Sequence, residues 1–178
     1  MNEITIREDD ISSECIVTLL SEHLQEMRQI SPPESVHALG FQDLRAPEVT
    51  LWSAWDGHRL MGCAALKELD SENGEVKSMR TVLQYRGKGV ASKLLEHVTC
   101  VARNRGYQTL KLETGAQAEF ESAVGLYRKH DFQFCQPFGD YRLDPNSVCM
   151  EKRLVGPQMT RARLEGYCCL RPNAGDYG

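Results

Sequence analysis

A glycine-rich segment in the middle of the chain decides the fold, and its sequence is Gln84-Tyr85-Arg86-Gly87-Lys88-Gly89-Val90-Ala91. It separates a β-rich run from an amphipathic helical pattern. The glycines remove the Cβ atoms that would keep a ligand away from the backbone, and the N-terminus of the following helix presents unpaired N–H groups and the positive end of a dipole. Arg86 and Lys88 add positive charge. The segment therefore predicts a cradle for a ligand that carries phosphate groups.

This segment departs from the common phosphate-binding motifs. A Walker A loop requires G-x-x-x-x-G-K-[ST], and the dinucleotide motif G-x-G-x-x-G requires a third glycine where this chain has Ser92. From spacing alone, a glycine turn that only caps a helix is as good an interpretation as a ligand cradle. The order of the surrounding elements therefore has to decide between the two.

Hydrophobic periodicity in the N-terminal half predicts a strand, a helix and an antiparallel meander. Apolar residues recur at helical spacing over residues 11–27, and the pattern stops before Ser31-Pro32-Pro33, because two consecutive prolines cannot continue a helix. Asp56-Gly57 lies between two β-rich runs and is a strong signal for a hairpin turn. The predicted strands of this half cover residues 4–6, 49–55, 60–69 and 75–83.

The C-terminal half alternates helices and strands. Amphipathic spacing predicts helices over residues 90–102 and 120–127. Apolar runs predict strands at residues 110–112, 132–135 and 148–154. Because the strands before and after the first of these helices are joined by a helical crossover, we expect them to be parallel and the crossover to be right-handed.

These elements predict one mixed α/β domain over residues 1–155. Gly156-Pro157 breaks the last strand, and no useful periodicity follows it. We therefore expect residues 156–178 to form a loosely ordered appendage.

The composition argues against several classes of protein. The chain has 178 residues, a net charge of −4 and no basic stripe, which argues against nucleic-acid binding. The longest apolar stretch in the middle of the chain, residues 61–66, is too short to span a membrane, and the first ten residues carry four acids, so we expect a cytoplasmic protein. Seven cysteines occur without C-x-x-C or H-x-x-x-H spacing, so we expect no metal site.

The meander, the motif Q-x-x-G-x-G-V-A, and the helix, strand and tyrosine-bearing helix that follow resemble the GNAT superfamily of acyl-CoA-dependent N-acetyltransferases over residues 3–154. The Leu112-Glu113-Thr114-Gly115 and Asp144-Pro145-Asn146-Ser147 segments are similar to those of small bacterial members. The resemblance implies an α+β fold with an antiparallel N-terminal meander, a splayed parallel pair of strands in the centre of a mixed sheet, and flanking helices.

The resemblance also implies acetyl-CoA as cosubstrate. Gln84, Gly87 and Gly89 match the family motif Q/R-x-x-G-x-G/A, which binds the pyrophosphate of acetyl-CoA. The family's preceding strand bulges away from its neighbour and the pantetheine arm lies in the opening, and backbone N–H groups near Thr81 and Val82 are expected to polarise the acetyl carbonyl. The expected cofactor-binding set is Met79, Arg80, Thr81, Val82, Gln84, Arg86, Gly87, Lys88, Gly89, Val90 and Ala91.

Acetyl transfer needs a neutral amine, so we expect a general base that removes the proton of the ammonium form. The departing thiolate of CoA needs a proton, so we also expect a general acid. Glu75, at the start of the strand before the loop, is the first candidate for the base, and Glu113 is the second. Tyr127 matches the family's helix tyrosine that often protonates the departing thiolate. The structural alternatives are a solvated strand-end carboxylate for Glu75 and a core tyrosine for Tyr127.

The acceptor is expected to be a small-molecule or peptide amine that binds near Glu34, His37 and Tyr141. The predicted function is direct acetyl transfer from acetyl-CoA to this amine through a ternary complex. Transfer of another acyl group and a non-catalytic acyl-CoA-binding sensor are the alternatives, and a homodimer is left open.

Overall fold

A mixed seven-stranded sheet with helices on both faces forms the structure, a computed structural model that describes residues 4–32, 35 and 37–154. The strands are β1 (Thr5–Glu8), β2 (Val49–Asp56), β3 (Arg59–Glu68), β4 (Asn73–Thr81), β5 (Thr109–Gly115), β6 (Gln133–Cys135) and β7 (Ser147–Arg153). The helices are α1 (Glu14–Ile30), α2 (Phe41–Leu44), α3 (Val90–Asn104) and α4 (Glu121–Lys129).

The sheet order is β1-β2-β3-β4-β5-β7-β6, and every neighbouring pair is antiparallel except β4 and β5. This confirms the predicted meander and the predicted parallel pair on either side of α3. The single helical turn α2 was not predicted, because four residues are too few to show a helical period. The predicted appendage at residues 156–178 lies outside the described residues.

Helices cover both faces of the meander, so its central strands are buried on both sides. α1 packs the side chains of Ile16, Leu19 and Leu20 into the same cluster as Leu51 and Ala65 of the sheet. On the opposite face, α3 contributes the second cluster. Its buried apolar residues are Val90, Leu94, Leu95, Val98 and Ala102. Burial on both faces explains why β2 and β3 read as nearly continuous apolar runs.

The parallel pair separates after three residue pairs, which creates an opening in the sheet. β4 and β5 pair from Asn73 to Glu75, and no pairing between these strands follows in the described chain. A bulge then places Ser78 and Met79 opposite the single residue Ala64, with Ser78 at φ 49°. The predicted splayed pair is confirmed.

A glycine of β3 lets the bulged strand come close. A Cβ at Gly62 would lie 2.5 Å from the carbonyl oxygen of Arg80, nearer than any side chain can approach. The bulge therefore depends on the absence of a side chain at this position.

Candidate active site

The opening between β4 and β5 leads into a cavity of about 610 Å³. Its wall is formed by α1, the second half of β4, the glycine-rich loop, the first turn of α3, the end of β5 and α4. A cavity of this size accommodates an extended organic ligand. One continuous space thus joins the predicted phosphate cradle to Glu113 and Tyr127.

The glycine-rich loop faces this cavity with exposed backbone. Gly87 and Gly89 have φ values of 74° and 83°, and a Cβ at either position would meet no atom within 4 Å. Gly89 caps the N-terminus of α3 without a side-chain hydrogen bond, so the first N–H groups of the helix remain available to an anion. Arg86, Val90 and Ala91 line the same region. These residues fit the pyrophosphate of a CoA thioester.

Not every predicted cofactor residue reaches the cavity. Met79, Arg80 and Thr81 line it, whereas Gln84 and Lys88 face a second, shallow pocket. Val82 does not line it either.

The backbone donor of Val82 is occupied, which corrects the expectation that it polarises the acetyl carbonyl. The Val82 N–H donates to the carbonyl oxygen of Met61 at 2.9 Å. Because successive N–H groups of a strand point to opposite sides, the Thr81 N–H points away from β3 and toward the opening. Thr81 is therefore the better donor of the two.

Glu26, a carboxylate of α1, lies beside two arginines of the predicted cofactor site, and its presence there was not predicted from the sequence. Glu26 forms an ion pair with Arg80 and lies 3.8 Å from Arg86. The hydrogen bond from Arg80 lowers the pKa of Glu26. Burial and the nearby Arg80 lower the pKa of His23 to about 4, so this histidine is neutral near pH 7. The helical period of α1 shows which residues share a face, but not that this face meets β4.

Glu113 is a half-buried carboxylate on the cavity wall. Burial raises its pKa to about 7, against the opposing effects of Lys77 and of a hydrogen bond with Ser147. A carboxyl group with this pKa changes its charge near neutral pH, as a general base requires.

Tyr127 lies on the same wall, on α4. Burial, and to a smaller extent Glu113, raises the pKa of its phenol, so the phenol keeps its proton at physiological pH. Its ring packs against Phe132 with the centroids 5.8 Å apart. The residue is thus both a core side chain and a wall of the cavity.

Glu75 and Tyr141 do not line the cavity, which differs from both sequence-based expectations. Glu75 is 3% exposed, and its Oε1 accepts a hydrogen bond from the Tyr141 hydroxyl at 2.5 Å. The Lys77 ammonium lies 3.2 Å from the same oxygen. Both predicted residues therefore belong to a polar network, in which the half-buried Tyr141 hydroxyl and the Lys77 ammonium are the partners that the buried Glu75 carboxylate requires.

Of the residues predicted to bind the acceptor, one lies on the cavity wall within the described part of the chain. His37 is half-buried, lines the cavity and contacts the Tyr141 ring edge-on at 4.9 Å between centroids. Burial and Lys77 lower the pKa of His37. Ser31 and Ser35 lie on the same wall. Glu34 lies outside the described residues.

Residues 16–132 match the model of the acetyltransferase (GNAT) family. The chain belongs to the GNAT family. It is 54% identical to the uncharacterized N-acetyltransferase YsnE of Bacillus subtilis, over 84% of this chain and 99% of that protein. It is 51% identical to the uncharacterized N-acetyltransferase YedL of Escherichia coli, over 80% of this chain and 90% of that protein.

Solved structures of this GNAT fold are similar over most of the chain. A Klebsiella pneumoniae protein described as an acyl-CoA N-acyltransferase superposes with a TM-score of 0.69 at 27% identity, covering 85% of this chain and 98% of that one. A GNAT family acetyltransferase from Elizabethkingia anophelis, solved with acetyl-CoA bound, has a TM-score of 0.60 at 17% identity, covering 86% and 99%.

These relationships confirm the predicted acyltransferase class and do not favour a non-catalytic sensor. Among residues 4–32, 35 and 37–154, no group of three or more His, Cys, Asp or Glu side chains could hold a metal ion. No helix in that part of the chain is long and apolar enough to cross a bilayer.

Proposed function

We propose that this GNAT enzyme transfers the acetyl group of acetyl-CoA directly to an amine, with both substrates bound in the cavity between β4 and β5. The observation that carries the proposal is the single cavity that joins the open glycine backbone to a carboxyl group poised near neutral pH and a protonated phenol. A direct transfer requires these groups in one space.

The cofactor is assigned to two parts of the wall. Arg86, Gly87, Gly89, Val90 and Ala91 hold the pyrophosphate through backbone N–H groups and one guanidinium. The bulged part of β4 holds the pantetheine arm as an added strand, and its residues are Met79, Arg80 and Thr81. Gln84 and Lys88 line the neighbouring shallow pocket and act on the phosphates only through their charge or dipole.

Glu113 acts as the general base in this proposal, and Glu75 is a structural residue. The Glu113 carboxylate accepts a proton from the ammonium form of the acceptor, and the neutral amine attacks the thioester carbonyl carbon. The Thr81 N–H donates to the oxygen that becomes negative. As the carbon–sulfur bond breaks, Tyr127 donates its proton to the departing thiolate. The second proton of the attacking nitrogen restores the Tyr127 phenol, which leaves the neutral amide, and the proton held by Glu113 returns to solvent.

The acceptor is assigned to the side of the cavity lined by Ser31, Ser35 and His37. These side chains offer hydroxyl and neutral imidazole groups, which suit a polar amine of either small-molecule or peptide origin. Residues 1–155 constitute the catalytic domain in this proposal.

Two glycines at opposite ends of α3 give a matched test of the cofactor site. Gly89 and Gly106 have φ values of 83° and 85°, and a Cβ at either one would meet no atom within 4 Å. Replacing each by alanine adds the same left-handed strain, on the order of 1 kcal/mol. Only Gly89 lies on the cavity wall.

By isothermal titration calorimetry, we expect Gly89→Ala to bind acetyl-CoA at least about 10-fold more weakly than the natural chain, which corresponds to roughly 1.4 kcal/mol. Gly106→Ala should bind it with unchanged affinity. Equal affinity in both variants, or an equal loss in both, would show that the glycine loop does not hold the cofactor.

A panel of amines and peptides, with detection of released thiol, identifies the acceptor. The proposal predicts thiol release that depends on an added amine. Acetyl-CoA binding without thiol release on every member of the panel would support the sensor alternative instead.

A further inference from the structure

Lys77 is a buried cation on the cavity wall that the mechanism above does not use. It is 9% exposed. Its ammonium group has three hydrogen-bond donors. They are directed to the His37 carbonyl oxygen at 3.0 Å, the Tyr141 hydroxyl at 2.6 Å and the Glu75 carboxylate at 3.2 Å. Because all three donors are used, Lys77 has none left for a substrate anion.

The three partners of Lys77 come from separate parts of the chain. Glu75 is two residues away on β4, His37 lies in the loop between α1 and α2, and Tyr141 lies between β6 and β7. Tyr141 also donates to Glu75 at 2.5 Å, which closes the network. Lys77 directly precedes the bulge at Ser78. The network therefore holds the acceptor-side loop, which contains His37, and the β6–β7 connection, which contains Tyr141, against β4 at the point where β4 and β5 separate.

The strand register also places the charge of Lys77 beside Glu113. Glu75 pairs with Lys111 in the last parallel pair. Two residues further along, Lys77 on β4 and Glu113 on β5 lie across the start of the opening, and both line the cavity. Alternation along each strand puts them on the same face as that last pair.

Glu113 is surrounded by other titratable groups whose effects oppose that of Lys77. Lys77 favours the charged form of Glu113, whereas Glu75 on β4 and Asp144 before β7 disfavour it. The phenols of Tyr127 and Tyr141 and the thiol of Cys149 also interact with the Glu113 charge. Lys77 is thus the cation that compensates for the burial of the carboxylate.

We propose that Lys77 is a positioning residue, which holds the acceptor-side loop and the β6–β7 connection against β4 through its hydrogen bonds to His37 and Tyr141, and whose charge keeps the half-buried Glu113 carboxylate available as a base. The proposal rests on the role of Glu113 in the proposed function. The effect of the Lys77 charge on Glu113 can nevertheless be measured on the protein alone, without an acceptor.

The test is the titration of the Glu113 carboxyl group, followed by NMR in protein labelled with ¹³C at the glutamate side-chain carboxyl. The Glu113 signal is assigned by its loss in Glu113→Gln. We expect Lys77→Met to raise the midpoint by on the order of one pH unit, because an adjacent opposite charge shifts a carboxyl group by about 1–3 units. Lys77→Arg retains the charge, so it should restore the midpoint to within about half a unit. Lys93→Met, at an exposed lysine of α3, is the matched control and should leave the midpoint unchanged.

Lys77→Met leaves Glu75 buried with a single partner, so this variant is expected to lose stability. If it does not fold, the double variant Glu75→Gln/Lys77→Met removes both charges. Its Glu113 midpoint should still rise, by less than in the single variant, because Lys77 affects Glu113 more than Glu75 does. An unchanged midpoint in the folded Lys77→Met variant, or in the double variant, would overturn the charge effect.

Tyr141→Phe separates the effect of the Lys77 charge on Glu113 from the role of Lys77 in holding the β6–β7 connection in place. This variant keeps the Lys77 charge and removes the hydroxyl that joins Lys77 to the last strand connection. Residues 37–40 keep the Lys77 hydrogen bond to the His37 carbonyl, so their exchange should change less. We expect faster amide hydrogen exchange in residues 138–141, with a smaller change in the Glu113 midpoint than Lys77→Met produces. Unchanged exchange there would overturn the positioning role.

Failure of this inference differs from failure of the proposed function. Normal thiol release that depends on Glu113, combined with an unchanged midpoint in Lys77→Met, refutes only the role of Lys77. A shifted midpoint, combined with no thiol release on any amine, refutes only the catalytic assignment.

Discussion

The replacement Glu113→Gln should make this enzyme less active and more stable at the same time. Glutamine preserves the size of the side chain and its ability to accept the hydrogen bond of Ser147, but it cannot accept a proton from the amine. At pH 8 the loss of a general base should lower kcat/KM by roughly 10²- to 10⁴-fold. The natural enzyme should gain activity as the pH rises through about 7, because Glu113 becomes charged there. The variant should retain only the rise due to the amine itself.

The gain in stability follows from the same pKa. The folded chain raises the pKa of Glu113 from 4.5 to about 7, so the folded state binds this proton more tightly than the unfolded state does. The stability contribution of the bound proton is therefore complete below pH 4.5 and is lost as the pH rises through about 7. At about 1.4 kcal/mol per pH unit, the shift from 4.5 to about 7 corresponds to a loss of at most about 3 to 4 kcal/mol. Glutamine never carries the charge, so it avoids the loss.

Urea denaturation at pH 5 and pH 8 measures this difference. The free energy of unfolding of Glu113→Gln, relative to that of the natural chain, should be about 2 to 3 kcal/mol larger at pH 8 than at pH 5, so that the variant is the more stable of the two at pH 8. Glu119→Gln is the matched control, since this carboxylate lies on the same cavity but is exposed, and it should show no such pH dependence. The same difference at both pH values would refute the raised pKa of Glu113. A normal turnover in a variant with the expected stability would refute its role as the base.

Two further replacements test the neighbouring assignments. Tyr127→Phe keeps the packing against Phe132 and removes only the hydroxyl, so turnover measured by thiol release should fall by roughly 10²-fold at an unchanged melting temperature; unchanged turnover would leave Tyr127 as a core residue alone. Glu26→Gln removes the carboxylate that offsets Arg80 and Arg86, so calorimetry at low ionic strength should show acetyl-CoA binding several-fold more tightly, with a steeper salt dependence. Weaker binding would mean instead that Glu26 is needed to orient Arg80.

Most of the fold was predictable because its elements, apart from the four-residue helix α2, carry a local signal. The proline pair after α1, the Asp56-Gly57 hairpin and the glycines before α3 mark ends and turns directly in the sequence. Once α3 was placed between two strands, the handedness of crossovers made those strands parallel. The cofactor loop was predictable for the same reason, since its glycines and its helix start are neighbours in the chain.

The catalytic side was only partly predictable, because its contacts join distant segments. Strand alternation shows that Glu75 and Lys77 share a face of β4, but not that Tyr141, 66 residues beyond Glu75, closes over that face. The same limitation concealed the ion pair of Glu26 with Arg80. Glu113 was a second choice from sequence, since alternation alone left open whether its side chain meets the cavity or water.

A crystal structure of the complex with acetyl-CoA would show directly whether the cosubstrate lies in the opening between β4 and β5. We expect the pyrophosphate on the backbone N–H groups at the start of α3. We also expect the thioester carbonyl oxygen about 3 Å from the backbone nitrogen of Thr81, with Glu113 and Tyr127 facing the acetyl group. Acetyl-CoA bound outside this opening, for example over Gln84 and Arg59 in the shallow pocket, would contradict it.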